Sequence, residues 1–302
     1  MSIYVEIPIR APMETLWERT QDPGLHERWD LRFSTIEYLP RDGDDAPQRF
    51  RYTTRIGPGL AVSGTGETVG QRDLPDGSRT SALRFGSDSR LSLIREGSGY
   101  WKYAPESDGV RFITAYDYRT RFGRLGAIVD RVAFRPLLGW ATAWSFDRLR
   151  LWLEQGIPPA VSLRAAAVHG LARLALAVTF AWHGLVPKLI GRDADEVAML
   201  ANLGLGRAQV DLAIVSMGVA EVVLAICLLA FWHRRWPILA VAAFANFALV
   251  AVAATSPGYL GGAFGPVTLT LGILALAGVD LLVLPMAPNA GRCRRRPAEP
   301  ST

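Results

Sequence analysis

Four apolar runs in the second half of this 302-residue chain restrict its fold more than any other feature. They lie at about 165–187, 210–232, 236–256 and 266–287, and each is near the roughly 20 residues a helix needs to cross a bilayer core about 30 Å thick. Lipid offers no partner to a backbone N–H or C=O, so such runs must fold as helices. The charge distribution marks the same division. Residues 1–155 hold 22 of the 33 Lys and Arg and 21 of the 28 Asp and Glu, whereas 156–302 hold 11 and 7. A soluble domain over 1–155 is therefore expected, followed by a membrane domain over 156–288 and a basic cytoplasmic tail over 289–302.

Orientation follows from the loops. Trp182, Trp232 and Trp236 fall near the ends of the runs, where interfacial aromatics sit. Pro237 and Pro266 stand near the starts of the third and fourth runs, where a missing N–H costs least. The junction between the second and third runs carries Arg234 and Arg235, and the tail reads RCRRR. The loop "SPGYLGGAFG" between the third and fourth carries no charge. The positive-inside rule then places both termini in the cytoplasm of a multi-pass protein of the cell (inner) membrane. The net charge of +5 comes mainly from these flanking arginines, so it is a topology signal and implies no nucleic-acid partner. Cys227 and Cys293 form neither a disulfide framework nor a CxxC site. The opening "MSIYVEIPIR" alternates instead of running apolar, so no signal peptide is expected.

The first half is patterned as a sheet. Ile3, Val5, Ile7 and Ile9 alternate with polar residues, the mark of a half-buried strand. Pro12 stands at the start of a short helix with Met13, Leu16 and Trp17 on one stripe. "RFRYTTRI" and "VRFITAYDY" alternate again, and weaker strands are expected near 34–40, 62–71, 79–86 and 91–103. Turn formers separate them, as in "RDGDDAP", "LPDG" and "PESDG". A long helical pattern from Phe122 to Gly156 closes the domain, with Pro136 expected to kink or divide it.

That order, with the stretch "IPIRAPMETLWERTQDPGLHERWD", resembles the START-like (SRPBCC) superfamily that includes polyketide cyclases. The resemblance implies an α+β helix-grip fold, in which a curved antiparallel sheet grips the C-terminal helix, and a cavity for a hydrophobic small molecule or lipid. Tyr116, Tyr118, Trp140 and Trp144 are candidates to line that cavity, or else belong to the core. His26, Glu27 and Asp30 are possible acid/base groups for a cyclase or dehydratase, although a solvated helix surface is the expected reading. Whether the chain is an enzyme stays open.

The second half resembles the DoxX-like family of four-helix membrane proteins, through "WHGLVPKLI", "DADEVAMLANLGLG", "AEVVLAICLL", "HRRWPILAVA" and "AFGPVTLTLGILAL". The resemblance implies an all-α four-helix transmembrane bundle. Its His-Gly-x-x-Pro-Lys stretch holds His183, Gly184, Pro187 and Lys188. Gly184 permits close helix approach, and Lys188 is expected to snorkel towards the headgroups. Within the runs lie Glu221, Asn246 and Asp280. A carboxyl at the bilayer centre costs at least roughly 2.5–3.5 kcal/mol, so it marks either a functional site or a buried hydrogen bond. Glu221 is expected to face the bundle, either protonated or bonded to Asn246. The polar set is thus His183, Lys188, Glu221, Asn246 and Asp280.

No metal site or cofactor motif is evident. A quinone is possible through the DoxX-like resemblance, which would make the chain a redox accessory with a partner subunit. His169 and His233 could in principle hold a haem between them, but CxxCH is absent. The leading expectation is a domain that binds a hydrophobic molecule beside its bilayer anchor.

Overall fold

The computed structural model describes residues 2–41, 43, 46–262 and 265–297. Part of the turn "RDGDDAP", part of the uncharged loop and the end of the basic tail lie outside these residues. The chain divides into two compact units, residues 1–162 with 288–302, and residues 163–287.

The first unit begins with β1 (Ile3–Ile9), α1 (Met13–Gln21) and α2 (Pro23–Trp29). Six strands follow: β2 (Thr35–Tyr38), β3 (Arg49–Gly57), β4 (Leu60–Asp73), β5 (Arg79–Gly86), β6 (Ile94–Glu106) and β7 (Gly109–Thr120). All pair antiparallel in the order β1-β7-β6-β5-β4-β3-β2. β2 to β7 form a meander, and β1 joins the last strand. Register shifts at Arg55/Gly57, Thr68/Gly70 and Ile94/Glu96 add bend and twist. The closing helix is divided where Pro136 stands, into α3 (Gly123–Val129), a π-helical turn (Asp130–Phe134) and α4 (Arg135–Gln155). This is the helix grip.

Its core lies where α4 meets β1, β6 and β7. Val5, Ile7, Phe112, Phe146 and Tyr103 are fully buried, with the Phe112 and Phe146 rings stacked at 4.4 Å. The described residues after the last span, 288–297, belong to this unit. Glu6 and Arg294 exchange backbone hydrogen bonds of 2.9 and 3.0 Å, which covers the otherwise free edge of β1. The Cys293 thiol donates to the Ala143 carbonyl, and the Asn289 N–H donates to Asp147 at 2.7 Å.

In the second unit, α5 (Pro159–His183) runs into a π-helical turn (Gly184–Ile190). Then come α6 (Ala194–Ala201), α7 (Arg207–Ala230), α8 (Trp236–Thr255) and α9 (Pro266–Val283). Four stretches are long and apolar enough to cross a membrane: Pro159–Ile190, Arg207–Ala230, Trp236–Thr255 and Pro266–Met286. Leu176, Phe180, Leu228, Ile238, Val241 and Ile273 form the shared core. Gly184 meets α7 at Gly218. A Cβ on Gly184 would lie 2.5 Å from the Gly218 carbonyl oxygen, so only glycine permits this approach.

Candidate functional site

Residues directly opposite in an antiparallel sheet point to the same face, so register identifies the grip interior. The row Phe50–Gly66–Phe85–Gly97–Tyr118 is one line across it. The line through Leu83, Gly99 and Tyr116 is the next. Glycines of β4 and β6 alternate with aromatic residues of their neighbours. A Cβ on Gly66 would lie 2.3 Å from the Phe50 ring, and one on Gly97 would lie 2.5 Å from the Phe85 ring. A Cβ on Gly64 would strike the Tyr52 hydroxyl. The rings therefore lie flat on the sheet and form a broad apolar floor. Phe50, Leu83, Phe85 and Ile36 all remain only half-buried, although Phe50, Leu83 and Phe85 face inward.

One wall of this floor is ionic. Asp30, fully buried after α2, accepts from Arg32 Nε at 2.9 Å, from Arg32 Nη2 at 2.6 Å and from the Arg32 N–H at 3.0 Å. His26 Nε2 lies 3.0 Å from the same carboxylate. Burial alone would raise the Asp30 carboxyl, but Arg32 and His26 outweigh it and hold it well below the usual carboxylate range. The Arg32 guanidinium lies 5.6 Å from the Tyr116 ring centroid and 5.5 Å from that of Phe33. The Tyr116 hydroxyl shares a 2.8 Å hydrogen bond with Thr142 of α4. Burial raises the Tyr116 phenol even with Arg32 beside it, so it is neutral at physiological pH. Thr142 gives its own hydroxyl hydrogen to the Leu138 carbonyl at 2.8 Å, so Tyr116 donates to Thr142, and the polar group at the edge of the aromatic floor is the Arg32 guanidinium.

These positions correct several expectations. His26 and Asp30 are not solvated surface. His26 is enclosed by Trp29, Phe33 and Trp101, with ring centroids 4.9–5.2 Å away. Glu27 accepts the Ile36 N–H at 3.0 Å and pins the start of β2. Tyr116 and Tyr118 do face the interior, and the Tyr118 hydroxyl donates to Asp130 at 2.5 Å. Trp140 and Trp144 do not. The face of α4 that meets the sheet carries Thr142, Ser145, Phe146 and Leu149, and helical pitch turns Trp140 and Trp144 away from it. Their rings stack on each other at 6.2 Å; Trp144 is buried, as the core alternative expects, and Trp140 is 43% exposed.

A depression of about 710 Å³ lies on the opposite face of the sheet, lined by Arg49, Glu67, Arg84, Glu96, Asp117 and Arg119. Its charges pair across strands, Arg119 with Glu96 at 3.1 Å and Arg84 with Glu67 at 3.9 Å. It is a solvated charged surface, unlike the aromatic floor. Among the described residues no group of three His, Cys, Asp or Glu side chains could hold a metal ion.

The membrane unit contains two buried ionic groups. In the first, Lys188 pairs with Glu221 at 3.0 Å and with Glu196 at 3.1 Å. Lys188 and Glu221 are both buried, so Lys188 turns into the bundle instead of snorkelling outward. The bond from Glu221 to Asn246, one of the two alternatives, does not form. Asn246 is exposed, and its amide donates to Ala242 of its own helix at 2.9 Å. His183 is half-buried, and its carbonyl accepts from Lys188 at 3.4 Å.

The second group joins α5, α7 and α9, and holds Asp280 apart from the Lys188 group. Asp280 bonds His169 at 2.5 Å and accepts from Arg173 at 3.1 Å. Arg173 also donates to the carbonyls of Leu228, Phe231 and Arg234, in the last turn of α7 and just beyond it. Sequence reading did not single out Arg173, although an arginine inside an apolar run is itself a signal. His233 stacks on His169 at 5.6 Å with planes 22° apart, and His169 is tied to Asp280. Two stacked rings cannot face a common iron from opposite sides, so this pair does not fit a haem.

Comparison with known proteins agrees with this architecture. The family model for polyketide cyclase/dehydrase and lipid transport proteins matches residues 1–154, and the DoxX-like family model matches residues 177–278. The membrane protein YndG of Bacillus subtilis (strain 168) is 55% identical over 168 residues, which is 55% of this chain and 62% of that protein. This chain thus spans less than two thirds of that relative's length. Among solved structures, a STAR-related lipid transfer protein fragment from Xanthomonas axonopodis shares 17% identity at a TM-score of 0.40, covering 51% of this chain and 85% of that one. The di-domain ARO/CYC StfQ of the steffimycin biosynthetic pathway shares 15% at a TM-score of 0.33, covering 49% and 52%. The chain is a membrane protein that belongs, through residues 1–154, to the polyketide cyclase/dehydrase and lipid transport family, and it carries a DoxX-like domain over residues 177–278.

Proposed function

We propose that the START-like domain binds a hydrophobic small molecule or lipid on the aromatic floor of β3–β5, on the cytoplasmic side of the membrane. The carrying observation is that inward-facing Phe50, Leu83 and Phe85 stay half-buried, while Phe112 and Tyr103 on the same sheet face are fully buried. Half-buried apolar side chains inside a sheet-and-helix layer are an incompletely covered hydrophobic surface, the ordinary setting for an apolar ligand. The Arg32 edge suits a ligand with one acceptor oxygen on an apolar body. The family that residues 1–154 match is described by polyketide cyclases, dehydrases and lipid transport, and an apolar ligand fits that description. The return of residues 289–294 to β1 supports a shared side for the domain and the chain after the fourth span. The arginines of the loop at Arg234 and Arg235 support the cytoplasm as that side.

Organic extraction of purified full-length protein, read by mass spectrometry, tests this reading. Wild type should release an apolar molecule that a Leu83→Arg variant of unchanged unfolding temperature lacks. Equal recovery from both would remove the proposal. A second reading, a quinone-linked accessory role, draws on the Lys188–Glu221–Glu196 group, which could hold a proton within the bundle. A membrane quinone-reduction rate unaltered by Glu221→Gln would count against it.

A further inference from the structure

The segment that opens the closing helix carries an apolar surface that nothing in its own domain covers. Leu125 is 69% exposed, Ile128 60% and Val132 74%, and Leu137 and Trp140 continue the exposure into α4. Positions 125, 128, 129 and 132 follow i, i+3, i+4, i+7 spacing, one stripe of a helix. The opposite stripe attaches the segment to its domain through Gly126 and Asp130. A Cβ on Gly126 would collide with the Arg121 carbonyl oxygen, and Asp130 is held by Tyr118 at 2.5 Å and by Arg135 at 2.8 Å. The helix is therefore fixed with its apolar stripe outward.

Its charge is one-sided. Between Tyr118 and Phe146 the only acidic residue is Asp130, which is turned inward, whereas Arg124 and Arg131 stand exposed along one border of the stripe. The segment starts at Phe122, a non-glycine residue at φ 64°, in the left-handed region that such residues rarely adopt, with its ring 59% exposed. An apolar stripe bordered by arginine is the pattern of a helix lying in the headgroup region of an anionic bilayer. A water-facing helix would carry charge on that stripe, and a protein-covered one would not need the arginine border. The domain is tethered to a bilayer by its own chain, so that surface is always within reach.

We propose that this face of α3, the π turn and the start of α4 docks on an anionic lipid surface, with Ile128 and Val132 in the acyl boundary and Arg124 and Arg131 at the phosphates. Trp140, turned away from the ligand floor, then serves as an interfacial anchor. The docking does not depend on the ligand proposed above. Full-length protein in a Cys227→Ser background, where Cys293 is buried, can be reconstituted in phosphatidylcholine vesicles with or without phosphatidylglycerol. An environment-sensitive fluorophore on Val132→Cys should be quenched by shallow spin-labelled lipid in the anionic vesicles. The quenching should fall several-fold at high salt or with Arg124→Glu and Arg131→Glu together, and a probe on Ser107→Cys should show little. Equal quenching at positions 132 and 107 would overturn the proposal. Shielding of position 132 that rises with protein density and ignores lipid charge would also overturn it, by assigning the face to a second copy of the chain.

Discussion

The two halves of the grip share one sheet and one alternation, yet they bury their inward faces to different degrees. On β1, β6 and β7 the interior is closed: Phe146 stacks on Phe112, and Val5, Ile7 and Tyr103 have no exposure worth the name. On β3 to β5 the same face carries glycines beneath flat-lying rings, and Phe50, Leu83 and Phe85 stay half-buried. Both halves present aromatic side chains to that face. What differs is the cover, since α4 sends Phe146 and Thr142 onto β7. A binding site in such a fold is located by incomplete burial, and the hydrophobic pattern alone does not reveal it.

Mutation can break this contrast, and the closed half should answer most strongly. Phe112→Ala removes a fully buried ring and should cost about 3–5 kcal/mol in denaturant unfolding of the soluble unit within the full-length protein. If it cost as little as a surface change, the closed half would not be the core described here.

The ionic wall comes next. Asp30→Asn leaves the Arg32 guanidinium without its countercharge and should cost about 3 kcal/mol. Its folded-state value is depressed, so the contribution of Asp30 is complete above the unfolded carboxyl value of about 4 and is lost as pH falls below it. The variant should therefore lose part of the acid limb of the stability profile. A profile identical to wild type below pH 4 would contradict the pairing.

The open half should respond weakly in stability and strongly in binding. Phe85→Ala should cost only about 1 kcal/mol, because its ring is half-exposed, yet it should abolish retention of the apolar ligand. Trp140→Ala, on the outer face of α4, should change stability by less than about 0.5 kcal/mol and leave ligand retention intact. Retention lost with Trp140→Ala and kept with Phe85→Ala would reverse the assignment.

Local features of this architecture were legible in the sequence, and long-range ones were not. Alternation marked β1 and β7, and Pro136 marked the division of the closing helix. His26 and Asp30 are four apart across the end of α2, so their contact was readable, but the burial of His26 depends on Trp101. The Gly-x-Gly pairs at Gly64/Gly66 and Gly97/Gly99 signal close approach by a neighbour, without naming the aromatic that approaches. Trp140 and Trp144 could be read as cavity lining or as core, because α4 is apolar on more than one side and spacing cannot say which side meets the sheet; Trp144 is core and Trp140 is exposed. In the membrane unit, Glu221 was visible as a costly carboxyl, but its partner proved to be Lys188 on another helix. Asp280 likewise met Arg173 and His169 across the bundle. Periodicity records which face of a helix is apolar and carries no record of which residue on a second helix stands opposite.

Hydrogen exchange of the full-length protein, with and without the extracted apolar molecule, locates the ligand. Added protection is expected in β3 to β5 and around Arg32, with β1, β7 and the membrane spans unchanged. Protection confined to the spans, or spread evenly over the sheet, would contradict a ligand seated on the aromatic floor.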